Sequence, residues 1–288
     1  ATLDGRPVDV AALAEGRLPL TVTAGEHVLE VEATMGFSHD GEGLHRATDP
    51  ADGEDYVFSH LFLDAAPAVF ACLDQPDIKA PYAVSVKAPA EWKVIGNGAG
   101  TMADGGVWHL AETKPLSTYF VALCAGPYVS VLDEHDGIRL GLWARASMAE
   151  QLEEHAEEML AVTRVSFDYF HSIFGIRYPF DDYDQVFVPE FNAGAMENPG
   201  MVTFREEFIF RGVVFNGLYR LGAMISARSN SAGTARTVSF VLAGRPGTSA
   251  ARGAGPRSMT LPLARPRRRP ARSRSCASTP SGPARSRG

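Results

Sequence analysis

Between residues 18 and 143 the chain consists of short runs of β-branched and aromatic residues broken by turn signals, the pattern of an antiparallel β domain. Leu20-Thr21-Val22-Thr23 stops at Ala24-Gly25, and His27-Val28-Leu29-Glu30-Val31 follows. Tyr82-Ala83-Val84-Ser85-Val86-Lys87 alternates apolar with polar positions, which predicts a strand with one buried face. Trp92-Lys93-Val94-Ile95 runs into Gly96-Asn97-Gly98, read as a surface turn. Asp104-Gly105-Gly106 ahead of Val107-Trp108-His109-Leu110 predicts a tight hairpin, because Asp-Gly and Gly-Gly pairs accept the positive φ such turns need.

The period lengthens at Ser147. Leu152, Ala156, Met159, Thr163, Phe167, Phe170 and Phe174 recur at steps of three and four, and Gly175 follows, which predicts one long amphipathic helix with a glycine stop. Ser147-Met148-Ala149-Glu150 has capping-box spacing, so the Ser hydroxyl and Glu carboxylate are expected to satisfy amides at the helix start. After Tyr178-Pro179, the run Asp184-Gln185-Val186-Phe187-Val188 reads as a strand. The chain thus divides into an antiparallel β domain over residues 1–143, the first part of an α/β or α+β domain over 144–211, and a tail over 212–288. The tail ends in Ser, Arg and Pro and cannot bury enough apolar surface to offset the entropy of ordering, so it is expected to be disordered.

Charge sharpens this division. Residues 1–211 hold 13 basic and 34 acidic side chains, a formal charge of −21, whereas residues 212–288 hold 14 Arg and no Asp, Glu, Lys or His. Such an acidic body repels nucleic acid and anionic membranes, so neither is expected as a partner of residues 1–211. Cys72, Cys124 and Cys276 are too few and too scattered for a disulfide framework or a metal knuckle. No secretory leader opens the chain and no run approaches the roughly 18 apolar residues of a membrane span, which predicts a cytoplasmic location. The start at Ala1, directly in strand-like sequence, leads us to expect that a natural N-terminus is missing. Gly96-Asn97-Gly98-Ala99-Gly100 lacks the third glycine of a dinucleotide loop.

The candidate chemistry lies in Pro189-Glu190-Phe191-Asn192-Ala193-Gly194-Ala195-Met196-Glu197-Asn198-Pro199-Gly200, between the strand at 186–188 and the apolar run Met201-Val202-Thr203-Phe204-Arg205. Small residues at 193–195 let backbone approach a ligand closely, and Glu197 sets one carboxylate beside them. Such a clamp suits a short cation. A peptide's free ammonium group fits, since charge-assisted hydrogen bonds of about 1.5–3 kcal/mol each favour it over an internal amide.

Gly194-Ala195-Met196-Glu197-Asn198 resembles the exopeptidase motif of the M1 family of zinc aminopeptidases, the aminopeptidase N group. Gly41-Glu42-Gly43-Leu44-His45-Arg46, Leu73-Asp74-Gln75-Pro76-Asp77 and Tyr178-Pro179-Phe180-Asp181-Asp182 resemble landmarks of that family in the same order, over residues 18 to 211. The resemblance implies a mainly β, saddle-like N-terminal domain followed by the start of an α+β, thermolysin-like catalytic domain. It implies peptide substrates with a free N-terminus, an ammonium contact at Glu197, and a substrate edge along Gly194, Ala195 and Met196, with Asn198 closing the motif. Family members often carry a Gln and a Glu where His60 and Phe62 stand here, so the resemblance leaves the preference of the first-residue pocket open, and His60 is read first as a strand histidine with no ligand.

Zinc is implied for the complete family enzyme, held by His-Glu-x-x-His on a helix after the loop and by a later Glu. No histidine follows His171, so those ligands are absent from the chain, no metal site is expected in it, and it is expected to be inactive. The sudden change of composition at residue 212 is what a reading-frame slip in a GC-rich gene would give. The alternative is a non-catalytic, aminopeptidase-like interaction module with a basic tail. With the catalytic helices incomplete, Val186, Phe187 and Phe204 are expected on exposed apolar surface.

Overall fold

The computed structural model describes residues 1–209 and the strand Arg236–Val241. Thr2–Leu3 (β1), Arg6–Pro7 (β2) and Leu29–Glu30 (β3) make a small sheet. Gly43–Thr48 (β4), Asp55–His60 (β5), Lys93–Gly96 (β7) and Leu123–Gly126 (β10) form an antiparallel sheet in the order β4-β5-β10-β7. Tyr82–Lys87 (β6), Gly100–Ala103 (β8) and Val107–Leu110 (β9) form another, to which Arg236–Val241 (β16) adds in parallel beside β6. The β8–β9 hairpin turns through Gly105 and Gly106 at φ 74° and 75°, as the Asp-Gly-Gly sequence predicts.

The largest sheet is mixed. Tyr128–His135 (β11), Ile138–Arg145 (β12), Asp182–Val188 (β13), Ala195–Met196 (β14) and Met201–Arg205 (β15) lie in the order β11-β12-β13-β15-β14. The helix Ala149–Phe174 (α1) carries the chain from β12 to the parallel strand β13, a crossover that two parallel neighbours require. The boundary read near residue 144 falls inside β12, which pairs with β13 along five residues.

Alternation along β13 places this sheet between two cores. Tyr183 and Phe187, with Leu140 and Leu142 of β12 and Val202 and Phe204 of β15, pack under Leu152, Met159 and Phe167 of α1. Val186, Val188 and Met201 point the other way, into the core of the β domain with Phe58, Val94 and Leu123. Val186, Phe187 and Phe204 are at most 1% exposed, so the expectation that they lie on open surface is wrong. The β domain covers one face of the sheet and α1 the other.

Other local readings are also corrected. Ser147 makes no capping box: its hydroxyl donates to Asp49 of the β4–β5 turn, and the α1 N-terminus has no side-chain cap. The helix does stop at Gly175, in the left-handed region at φ 61°. Phe174 is 43% exposed, because a 26-residue helix, about 39 Å long, overhangs the strands beneath it. Residues 20–23 are not a strand, and of 27–31 only Leu29–Glu30 pairs; Val22 and Val28 are exposed, with no sheet face to cover. Of the tail expected to be disordered, β16 is ordered as a strand, and the remainder lies outside the described residues.

Candidate functional site

The loop between β13 and β15 is bound to the sheet that carries it. Arg205 N–H donates to Gly194 O (3.0 Å), and its guanidinium donates through Nε and Nη2 to Phe191 O at 3.2 and 3.0 Å. Ala195 and Met196 form β14, paired antiparallel with Phe204 and Thr203, and among the described residues β14 is the outermost strand on that side of the sheet, with Gly194 just before it. Side chains alternate there too: Ala195 joins the core under α1 and Met196 the core of the β domain. Asn198 is 3% exposed, and Met201 N–H donates to its carbonyl (3.2 Å). Gly200 N–H donates to Tyr178 Oη (3.0 Å), while Gly200 O accepts from Asp184 N–H (2.9 Å). Glu197, between these fixed points, is part-exposed.

The β domain supplies the opposite wall. Burial, and then the negative charge of Glu197, raise the Tyr119 phenol above its ordinary value, which places the carboxylate within electrostatic reach of that ring. Tyr119 packs against Phe120 and edge-on against Phe62, with ring centroids 4.2 and 5.8 Å apart. Phe62 is 51% exposed. His60, 7% exposed, donates from Nδ1 to Gly41 O (3.0 Å) and lies against Phe191 at 4.9 Å, so it serves as a packed strand residue.

Two joints tie the loop to this wall. At its start, Gly41 N–H donates to His45 Nδ1 (3.0 Å), which leaves the proton on Nε2, and Nε2 donates to Glu190 Oε2 (3.0 Å). Asn192 Nδ2 donates to Asp40 O (3.1 Å), and a Cβ on Gly41 would lie 2.7 Å from Asn192 Cγ. At its end, Asn97 is 8% exposed and bonded to three main-chain groups, so the stretch read as a surface turn is an internal joint. The loop is visible in the sequence, but the roles of Tyr119, Asn97 and His45 are not, because their partners lie far away along the chain, and Arg205, which bonds back to Phe191 and Gly194 of the loop, is missed as well. A buried-type asparagine between two glycines is the one local signal.

Below the site, Asp184 is 1% exposed and accepts two bonds from Arg139 (3.0 and 2.6 Å) and one from Trp143 Nε1 (2.7 Å). Burial still dominates and raises its carboxyl above the usual value. Among the described residues, no three His, Cys, Asp or Glu side chains converge as metal ligands. No helix among them is long and apolar enough to cross a membrane.

Fold and site define a β domain docked on the opening of an α+β domain, with the strand β14 and the part-exposed Glu197 at the junction. The model of the Peptidase M1 N-terminal domain matches residues 14–120, and that of the Peptidase family M1 domain matches residues 158–213. Aminopeptidase N of Streptomyces lividans is 42% identical over 77% of the chain and 26% of its own length. Probable M1 family aminopeptidase 1 of Encephalitozoon cuniculi is 30% identical over 66% and 22%, and glutamyl aminopeptidase of Mus musculus 28% over 77% and 23%. The chain belongs to peptidase family M1. It spans about a quarter of the length of these relatives.

Proposed function

We propose that residues 194–198 form the subsite that receives the free amino terminus of a peptide, in an enzyme that removes N-terminal residues. The observation that carries this reading is the adjacency of the outer strand β14 and a part-exposed carboxylate, Glu197, whose charge acts on the Tyr119 phenol of the opposite wall. A peptide backbone can add to such an edge while Glu197 accepts from its ammonium group. Phe62 and Tyr119 give the first side chain an apolar, aromatic neighbourhood, so an apolar first residue is favoured over an acidic one. Relatives called aminopeptidase N and glutamyl aminopeptidase support the peptide substrate. Zinc belongs, on this proposal, to the complete family enzyme, and no hydrolytic step is assigned to residues of this chain. The location proposed is cytoplasmic, in keeping with a buried free thiol at Cys124.

The test is titration of the isotopically labelled chain with Leu-Phe-amide and with its N-acetyl form. The free-amine peptide is expected to shift the Glu197 signals and the acetylated one to leave them unmoved. Equal responses would overturn the reading. With zinc added, the purified chain is expected not to hydrolyse an aminoacyl anilide.

A further inference from the structure

The loop has a second anchorage that its own sheet does not explain. Asn97 Nδ2 carries two protons and uses both, donating to Phe120 O (2.8 Å) and to Pro199 O (2.8 Å). Its Oδ1 accepts from Ala122 N–H (2.7 Å). Phe120 directly follows Tyr119, and Pro199 stands two residues beyond Glu197. A single planar amide therefore spans the two walls of the candidate site. Their backbones also meet: Gly200 has φ +80°, and a Cβ there would lie 2.2 Å from Asn97 O.

Building on the reading of Glu197 as the amine anchor, we infer that Asn97 is a positioning residue that sets the separation of Glu197 from the Tyr119 wall, and so the width of the first-residue subsite. The other bonds of the loop do not do this. Arg205, Asp184 and Tyr178 fix it to the mixed sheet, and the His45–Glu190 joint holds its start. The Asn97 amide reaches both Phe120 and Pro199 from one rigid group. Truncating it frees both carbonyls and the Ala122 amide at once, and the cost of burying these unbonded drives the two walls to readjust.

The experiment reads the separation without a ligand. Tyr119 feels the Glu197 charge, so its phenol titration, followed by NMR of ring-labelled tyrosine and assigned with Tyr119→Phe, reports how close the carboxylate lies. In the full chain, Glu197→Gln is expected to lower the Tyr119 midpoint. In an Asn97→Ala background, the same substitution is expected to lose that effect. Asn97→Asp, which keeps the acceptor for Ala122 but neither donor, is expected to lose it as well. A Tyr119 response to Glu197→Gln that persists in Asn97→Ala overturns the inference.

If Asn97→Ala lacks a cooperative unfolding transition, Asn97→Asp is read in its place, because it keeps the bond to Ala122 N–H and removes only the two donors to Phe120 O and Pro199 O. Persistence of the response there overturns the inference equally. Failure of the unsubstituted chain to distinguish free from acetylated peptide would sink the amine-anchor reading instead, and the Tyr119 titration would still decide the role of Asn97 independently.

Discussion

His45 Nε2 and Glu190 Oε2 lie 3.0 Å apart across the joint between the β domain and the start of the β13–β15 loop, and 145 residues separate them in sequence. The imidazole is 1% exposed while Glu190 is largely open to water, so the bond's worth rests on the buried partner. His45→Phe keeps the ring contact with Phe58 but leaves the Gly41 N–H without its acceptor. A loss of about 1–3 kcal/mol is expected in urea unfolding. Glu190→Gln keeps an acceptor and should cost under about 1 kcal/mol. Equal losses in the two variants would show that the buried side of the joint does not dominate.

Glu197→Gln is expected to weaken binding of Leu-Phe-amide by about 10- to 150-fold, the equivalent of one charge-assisted bond of about 1.5–3 kcal/mol. Affinity for the acetylated peptide should be unchanged. Calorimetric titration of both peptides checks this, and a parallel loss for both would remove the ammonium from the account.

Asp49 joins the domains at a second point. Its covered carboxylate accepts from Ser147 and from Ala51 N–H and pairs with Arg145 at 2.6 Å. Burial alone would raise its pKa, but the Ser147, Ala51 and Arg145 bonds outweigh it and hold the group below its ordinary value. A depressed carboxylate stabilises fully above its unfolded pKa, near ~3.9, and loses that contribution as pH falls through the folded value. Asp49→Asn should therefore be less stable than the unsubstituted chain at pH 7, by about 1–3 kcal/mol, since Arg145 keeps its pair with Glu206 at 2.8 Å. The gap should close below about pH 4. Denaturant midpoints measured from pH 7 to pH 3 test the sign; a gap that widens in acid would contradict it.

Gly141 faces Asp184 across β12 and β13, where an added Cβ would lie 2.1 Å from Asp184 Oδ1 and 2.5 Å from Trp143 Nε1. Gly141→Ala must displace an anchored carboxylate or an indole. A loss of about 1–3 kcal/mol is expected from overpacking, with more if the Trp143 bond breaks. The fluorescence of Trp143, isolated by replacing Trp92 and Trp108, should shift in the same variant. An unchanged spectrum and stability would mean that the strands spread there without strain.

Elements with strong local periodicity are legible in the sequence: α1 and its glycine stop, the β8–β9 hairpin, β6 and β13. Each depends on contacts within a few residues or on a simple inside-outside alternation. Ser147 misleads because its hydroxyl has two possible partners, and the distant Asp49 wins over the helix amides. Residues 20–23 alternate like a strand, but alternation needs a face to pack on. The burial of Val186, Phe187 and Phe204 escapes the sequence because the β domain covers the sheet from a side that local pattern does not reveal. Residues 194–198 stand out in the sequence as a string, whereas Asn97 and Tyr119 reach them only through the fold.

Strand β13 deals its residues alternately to two cores, and β14 does the same with Ala195 and Met196. A slip of one residue in either strand would swap every assignment at once, bringing the Asp184 charge under the helix and the Tyr183 ring into the β domain. Strand β14 and the loop after it thus inherit an error check: a chain that has paired its strands wrongly cannot close either core, and so cannot present a misaligned Glu197 on a well-packed molecule.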